Sequence, residues 1–318
     1  MDLEVRHLRT LCAIADTGSI SRAAATLGVS QPAITVLLKR MEESIGGELF
    51  HRGRTGARPT ALGERAVLQA RLVLAELESF AADLTDPSST PRPRIGSAHL
   101  ACIAAVVDGL EKVLPHSGFT LRVEPSTLVL AQLLGHDHLD LAVIVMLEDQ
   151  QVALPPHISH RTVVPRLPIF VALAAADPLS RKPSVHLADL RDSTWICPPG
   201  ADDGSLASLR EGCRREGFVP HIRFELPSGS SRPLIEAGHA VQLVEPGSQS
   251  SEAMTIRPLD GDPFTARMIL AWHRRKFTES SVRAVYRAVA QAYSGHAAAS
   301  PHYGPWWRAH PEVHPITE

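Results

Sequence analysis

The sequence predicts an α/β protein with more than one domain. Three observations predict it. Apolar residues in the first sixty positions recur at helical spacing and are punctuated by Gly18, Gly28 and Gly46. A single long helical seam follows. From residue 94 to 294, short strand patterns alternate with helix patterns, which implies a mainly parallel sheet. A chain of 318 residues suggests two to three domains, and a hydrophobic fraction of 44% suffices for a sizeable core. The formal charge of −2 gives no whole-chain signature of a polyanion binder, although a local basic patch would suffice. Cys12, Cys102, Cys197 and Cys213 show neither CxxC spacing nor a dense framework. No charged segment followed by an apolar run opens the chain. The longest apolar runs, such as Ile169 to Ala176, fall far short of a membrane span, so a cytosolic protein is expected.

Leu8, Leu11, Cys12 and Ala15 mark the buried face of a first helix, which Gly18 ends. Ser19 caps a second, with Ile20, Ala23, Ala24 and Leu27 on one face and Gly28 past its end. Ser30 caps a third, and Pro32 is tolerated in a first turn whose N–H groups lack partners in any case. Ile34, Leu38, Met41 and Ile45 then form one buried stripe, with Gln31, Thr35, Val36 and Lys39 opposite. A helix–turn–helix stores its code in such an exposed face, which meets base edges in the major groove. Two packed helices around a Gly turn also occur in ordinary bundles, and spacing alone leaves both readings open. Gly46-Gly47 breaks the chain, residues 48–52 read as a short strand, and residues 54–59 as the tip and return of a β-wing. Between Leu49 and Thr60 stand three arginines and no acid, placed to lie along phosphates or reach the minor groove.

These residues carry a resemblance. The runs GSISRAAATL, SQPAIT, RMEESIG, LFHR and PTALGE occur in one order across residues 8–62 and just beyond. They resemble the N-terminal winged helix–turn–helix of LysR-type transcriptional regulators. Carried onto this sequence, the resemblance implies DNA contacts from Ser19, Arg22, Ser30, Gln31, Pro32, Thr35, Val36 and Lys39. Arg52 and Arg54 are expected on phosphates or in the minor groove. The sequence departs from the family at Val36 and Leu37, where polar residues are usual. Leu37 is open to a packing role; Val36 faces the groove, where an apolar side chain can touch only a thymine methyl or exclude a base.

Thr60 caps a helix expected to run to about Leu84. Ala66, Ala70, Val73, Leu77, Phe80 and Leu84 follow the spacing 4, 3, 4, 3, 4, an a/d seam. A helix of about 25 residues is about 37 Å long. No nearby segment is long enough to cover it, so Ala70, Val73, Leu77 and Phe80 are expected to pair with a second copy. Pairing would set two recognition helices on one face of a duplex. Residues 87–93, rich in Pro and Ser, read as a hinge.

The remaining body is expected in two lobes joined by two crossings, as in periplasmic binding proteins and, by resemblance, in the LysR-type effector domain. Lobe I takes about 94–163 and 266–294, lobe II about 164–265. LLGHDHLDLAVI and ADPLSRKPSVHLADLRDSTWI are similar to stretches of that family, and the similarity fades after about residue 294. Ligands in open α/β sheets sit beyond the carboxyl ends of strands. Those places hold Ser97 and His99, Ser126 and Thr127, Cys197 to Gly200, Ser228, Ser230 and Arg232, and Pro246 to Ser248. Hydroxyls and free N–H groups suit a polar small molecule, an anion before a cation. Residues 295–318 are expected to be a flexible tail, with Trp306-Trp307 as its one docking element. The sixteen histidines are scattered, and no metal or cofactor is expected.

The expected function is thus a cytoplasmic, ligand-responsive DNA-binding regulator, a homodimer on its seam. A tetramer and RNA polymerase as further partners are implied by the family alone. A transporter's solute-binding module shares the two lobes, but the N-terminal domain opposes it. No GxSxG, HExxH, GxGxxG or phosphate-loop motif speaks for an enzyme. A redox-sensing regulator would have to use Cys197 and Cys213, a wider pair than the peroxide-sensing branch of the family carries.

Overall fold

The computed structural model describes residues 3–53, 56–85, 92–114, 118–148, 150, 152–198, 204–226 and 230–316. Arg54, Ser228, residues 199–200 and most of the expected hinge (87–91) lie outside the described residues.

The N-terminal domain comprises α1 (Val5–Thr17), α2 (Ile20–Leu27), α3 (Gln31–Ile45), and the antiparallel pair β1 (Phe50–Gly53) and β2 (Gly56–Pro59). Its core holds most of the stripes read from the sequence, Leu11, Cys12, Ala15, Ala23, Ala24, Ile34, Leu38 and Met41, adds Ile14, and is closed by Leu49, Phe50 and Ala57. Each helix ends in a glycine at positive φ: Gly18, Gly28 and Gly46. Helix α4 (Ala61–Thr85) starts where Thr60 Oγ1 accepts from Gly63 N at 3.0 Å and donates to the Glu48 carbonyl at 2.7 Å. The glycine of PTALGE has a steric reason. A Cβ at Gly63 would stand 1.9 Å from the Leu49 carbonyl oxygen, so only glycine lets the helix start against the wing.

Two five-stranded sheets form the body. Lobe I contains β3 (Arg94–Ser97), α5 (Ile103–Val113), β4 (Thr120–Val123), α6 (Thr127–Gly135), β5 (Leu141–Leu147) and β6 (Ile158–Pro168). The chain crosses into lobe II at β7 (Phe170–Ala174), then runs through β8 (Thr194–Cys197), α7 (Ser205–Arg215), β9 (His221–Glu225), α8 (Arg232–Glu236), β10 (Val241–Val244) and β11 (Met254–Arg257). It returns to lobe I at β12 (Thr265–His273) and α9 (Glu279–Ala299), followed by α10 (Gly304–Ala309). The sheet orders are β4-β3-β5-β12-β6 and β11-β7-β10-β8-β9.

The expectation of a mainly parallel sheet needs correction. In each lobe two pairings are parallel and two antiparallel. The crossing strands cause this: β12 in lobe I and β7 in lobe II run against the strands that helices connect, and β6 and β11 pair antiparallel with them at the sheet edges. The first crossing also lies later than expected, because β6 pairs with β12 as far as Pro168.

Two further expectations are corrected. Helix α4 is not bare along its seam. Ala70 is buried in the N-terminal core, while Leu72 and Ala75 pack with Leu130, Leu133 and Leu134 of lobe I. Helix α6 is the cover that the sequence did not reveal. Val73, Leu77 and Phe80 nevertheless remain 46%, 38% and 61% exposed on the other side. The tail is not loose. Helix α9 continues through Gly295, and Tyr303, Trp307 and Val313 are buried in the main core beside Tyr293 and Phe170. Tyr293, Tyr303 and Trp307 meet edge to face with centroids 5.6–6.3 Å apart, and Tyr293 and Tyr303 share a hydroxyl hydrogen bond of 3.2 Å. Burial of these rings, rather than periodicity, orders the segment.

Candidate nucleic-acid interface and effector cleft

On α3 the structure brings the expected reading residues to one face. Gln31, Pro32 and Lys39 are exposed, and Val36 is half exposed at 50%, outside the buried core of the domain. Thr35 is half-buried, and its hydroxyl donates to the Gln31 carbonyl at 3.0 Å. Lys39 touches Glu43 at 3.6 Å, an exposed pair that a phosphate would readily replace. Arg40, one turn after Val36, is also exposed, and sequence reasoning passed over it. The reason is local: Arg40 stands beside the buried stripe of Leu38 and Met41 and was not separated from it.

Other expected contacts have internal work. Ser19 and Ser30 are caps, accepting from Arg22 N and Ala33 N at 3.4 Å each. The Arg22 guanidinium is anchored on the Thr17 carbonyl, with its Nε at 3.1 Å. Arg52 pairs with Glu42, whose other oxygen accepts from Leu49 N and Phe50 N at 3.0 and 3.3 Å. Glu42 thereby seats the wing on the recognition helix. Arg58, the third wing arginine, pairs with Glu225 at the end of β9.

A second ionic joint lies between the linker helix and lobe I. Arg71, 13% exposed, holds Glu124 at 3.1 Å with one Nη and Asp16 of α1 with the other. Burial raises the Glu124 carboxyl above its ordinary range, and Arg71 opposes that rise. Glu124 Oε1 also accepts from Ser126 N at 3.1 Å. The carboxylate that anchors the DNA-binding half therefore anchors the first effector loop too. Both cross-domain acids stand just before a loop expected to line the cleft, Ser126 in lobe I and residues 228–232 in lobe II.

In the cleft loops most expected hydroxyls are already engaged. Ser97 Oγ donates to the Ala98 carbonyl at 2.9 Å, Ser126 Oγ accepts from Val129 N at 3.3 Å, and Thr127 Oγ1 donates to the Val145 carbonyl at 2.7 Å. All three residues are buried; His99 and Ser230 are exposed. Arg232 donates to the Gln249 carbonyl at 3.0 Å and lies 3.8 Å from Glu236. One residue that joins the lobes was not foreseen, Glu245. It follows β10 in lobe II, and its Oε2 accepts from Ala101 N of lobe I at 2.8 Å. Its Oε1 is buried with no partner among the described residues. Burial raises its pKa, against the Ala101 N–H and the nearby His296. The signal was present in the sequence, since an acid straight after a strand and before Pro246-Gly247 stands at a carboxyl end.

A winged helix–turn–helix carried on a long helix, ionically joined to two lobes with a closed seam between them, defines the class: a DNA-binding regulator with a ligand-binding body. The chain belongs to the lysR family of bacterial regulatory helix-turn-helix proteins. That family's model matches residues 5–64, and the LysR substrate binding domain model matches residues 93–294. The chain is 36% identical over 315 residues to the small neutral protease regulatory protein of Streptomyces coelicolor, covering 97% of this chain and 98% of that one. It is 28% identical over 284 residues to the transcriptional regulator BudR of Raoultella terrigena, covering 86% and 95%. Two solved structures share the fold. One is a Corynebacterium glutamicum OxyR C206 mutant, with TM-score 0.56 and 17% identity over 94% of both chains. The other is full-length BenM, with TM-score 0.54 and 20% identity over 94% of this chain and 99% of that one. The protein is a DNA-binding transcriptional regulator with an effector-binding domain.

Proposed function

We propose that the protein is a cytoplasmic, non-enzymatic homodimer that uses no cofactor. In this reading a small polar or anionic molecule, bound between the lobes, changes the geometry of its DNA complex. The observation that carries this is the shared carboxylate of Glu124, which ties Arg71 of the linker helix and the Ser126 loop together. A ligand that alters that loop alters the seat of the DNA-binding domain. A ligand shifts such an equilibrium only by its differential affinity for two arrangements; breaking the Glu245–Ala101 contact between lobes would supply the difference. The exposed Val73, Leu77 and Phe80 support pairing along α4. Tetramer formation and contact with RNA polymerase belong to the same reading.

The redox alternative draws no support here. Cys213 is fully buried, and burial pushes its thiol up to about 12, where it is a poor nucleophile. The Streptomyces relatives are named for regulating a small neutral protease, so a protease gene is the first target to test. Footprinting on the region upstream of this gene, and upstream of neutral protease genes, tests the function. Gln31→Ala, Lys39→Ala and Arg40→Ala should each lose protection of the site. A full footprint in all three would place the reading face elsewhere.

A further inference from the structure

The DNA-binding domain is gripped from both lobes. Lobe I holds it through Glu124, whose partner Arg71 also holds Asp16 of α1. Lobe II holds it through Glu225, the last residue of β9, whose partner is Arg58 of β2. Glu225 is fixed in the lobe II sheet: it stands in register with Cys197 of β8, and Leu226 N donates to the Cys197 carbonyl at 3.1 Å. A change of angle between the lobes moves Glu225 relative to Glu124, and the N-terminal domain cannot follow both.

The two grips are built differently. Arg71 is nearly buried and held by two acids. Arg58 is 42% exposed and gives one Nη to Glu225, while its Nε is buried with no partner among the described residues. Arg58–Glu225 is therefore the grip that parts first. The Glu225 side chain is only 8% exposed, and a carboxylate so buried does not release its cation in place. The pair opens by parting wing and lobe, which returns both groups to water.

Arg58 matters to DNA because of where it sits. It stands opposite His51 in the wing, and its neighbour Ala57 is buried, so Arg58 lies on the outer face of the hairpin. Between Leu49 and Thr60 the wing carries no acid of its own, and Arg52 is already held by Glu42 of the same domain. Glu225 offers Arg58 what a backbone phosphate offers, two anionic oxygens for a guanidinium fork. While the pair is closed, lobe II stands against the wing face on which that phosphate would lie.

We propose that lobe II masks a DNA contact: Glu225 occupies Arg58 in place of a backbone phosphate, and Arg58 joins the DNA interface when lobe II turns away from the wing. The proposal deepens the functional reading above and rests on its DNA-binding half, not on any particular effector.

The test is fluorescence anisotropy on the full chain with a labelled duplex of about 30 base pairs and arbitrary sequence, since phosphate contacts do not depend on sequence. Glu225→Gln should bind about three- to tenfold more tightly than wild type, with a salt slope steeper by about one unit. Arg58→Gln should weaken the Glu225→Gln protein at least about threefold more than it weakens wild type, because the two residues are coupled. The double variant Arg58→Cys, Glu225→Cys, bridged by a bismaleimide, holds wing and lobe together; the four native cysteines are buried. Bridging should weaken its DNA binding at least about tenfold. Thermal melting checks that each variant is folded.

Three results overturn the proposal. One is a folded Glu225→Gln protein that binds no more tightly than wild type. Another is an equal loss from Arg58→Gln in both backgrounds, which would leave Glu225 as no more than a negative charge near the DNA. The third is a bridged protein that binds as well as the unbridged one. Lys39→Ala, on α3, separates this failure from that of the functional reading. It should weaken binding in every background; if it does while Glu225→Gln changes nothing, the mask falls and DNA binding through α3 stands.

Discussion

The reading face of α3 and the effector loops of lobe I are built from similar residues and finished in opposite ways. On α3, Gln31, Val36, Lys39 and Arg40 point into water with little to hold them. In lobe I, Ser97, Ser126 and Thr127 are buried, and each hydroxyl has an internal partner. The DNA face is thus preformed, and binding there exchanges at most an exposed ion pair such as Lys39–Glu43. The effector face is closed on itself, so a ligand there must displace a cap or part the lobes. That requirement couples binding to movement, because only a ligand that favours one arrangement over the other shifts the equilibrium between them. Substitutions should follow the same division: those in the closed body cost stability, and those on the open face cost DNA binding alone.

The largest stability effect is expected where the closed body was least foreseen. Trp307→Ala removes a buried ring from the core shared by α9 and α10 and should lower stability by about 3–5 kcal/mol. Val36→Ala, at a half-exposed site, should change it by less than about 0.5 kcal/mol. Urea denaturation measures both. A Trp307→Ala loss below about 1 kcal/mol would return the tail to the flexible state that its composition suggested.

Next comes the joint. Arg71→Ala leaves Glu124 buried without its cation and should cost about 3 kcal/mol, the usual penalty for half of a buried pair. Glu124→Gln in the same background should recover much of it, since the orphaned charge is the damage. Failure of that rescue would show that Arg71 acts through packing or its other contacts.

These two regions also mark what could be read in the sequence. Caps and stripes are local, so Ser19, Ser30, Thr60 and the Ile34–Leu38–Met41 stripe were legible within a few residues of each other. Arg71 and Glu124 lie 53 positions apart, and Arg58 and Glu225 further still; no periodicity links such pairs. The cover on α4 failed to show for the same reason, since α6 is brought to it by lobe I as a whole. The tail does carry a signal. Tyr303, Trp306 and Trp307 form a dense aromatic group, and aromatic area is burial in waiting. In the effector loops sequence reasoning meets a real degeneracy, because a serine at a helix start looks the same whether it caps the helix or holds a ligand.

A smaller effect appears on acidification. Asp140 is mostly buried, which raises its pKa, but hydrogen bonds from Arg94 and Lys276 outweigh that and hold it below the ordinary 3.8. Its folded pKa is depressed, so its contribution is complete above the unfolded value and disappears as pH falls through the lower folded value. Asp140→Asn should cost about 2 kcal/mol at pH 7, and the gap between wild type and variant should close below about pH 4. A gap that stayed constant down to pH 2 would mean that the charge of Asp140 is not what holds β3 to the loop before β5.

The smallest expected change decides most about the cleft. Ser126 is at once the cap of α6 and the expected effector contact. Its Oγ accepts from Val129 N, and its own N–H is held by Glu124. Ser126→Ala removes the cap and should cost about 1 kcal/mol; Ser126→Asp keeps an acceptor there and should cost less in cap strength. Capping and ligand contact make different demands on the pair. If Ser126 only caps, Asp restores stability and effector response together. If the residue also meets an anionic ligand, Asp restores the helix but repels the ligand, so the ligand-dependent footprint change disappears in a protein as stable as wild type. Measuring stability and footprint on both variants separates the two roles. Ala and Asp proteins that respond to ligand like wild type would remove Ser126 from the effector site and leave it a helix cap.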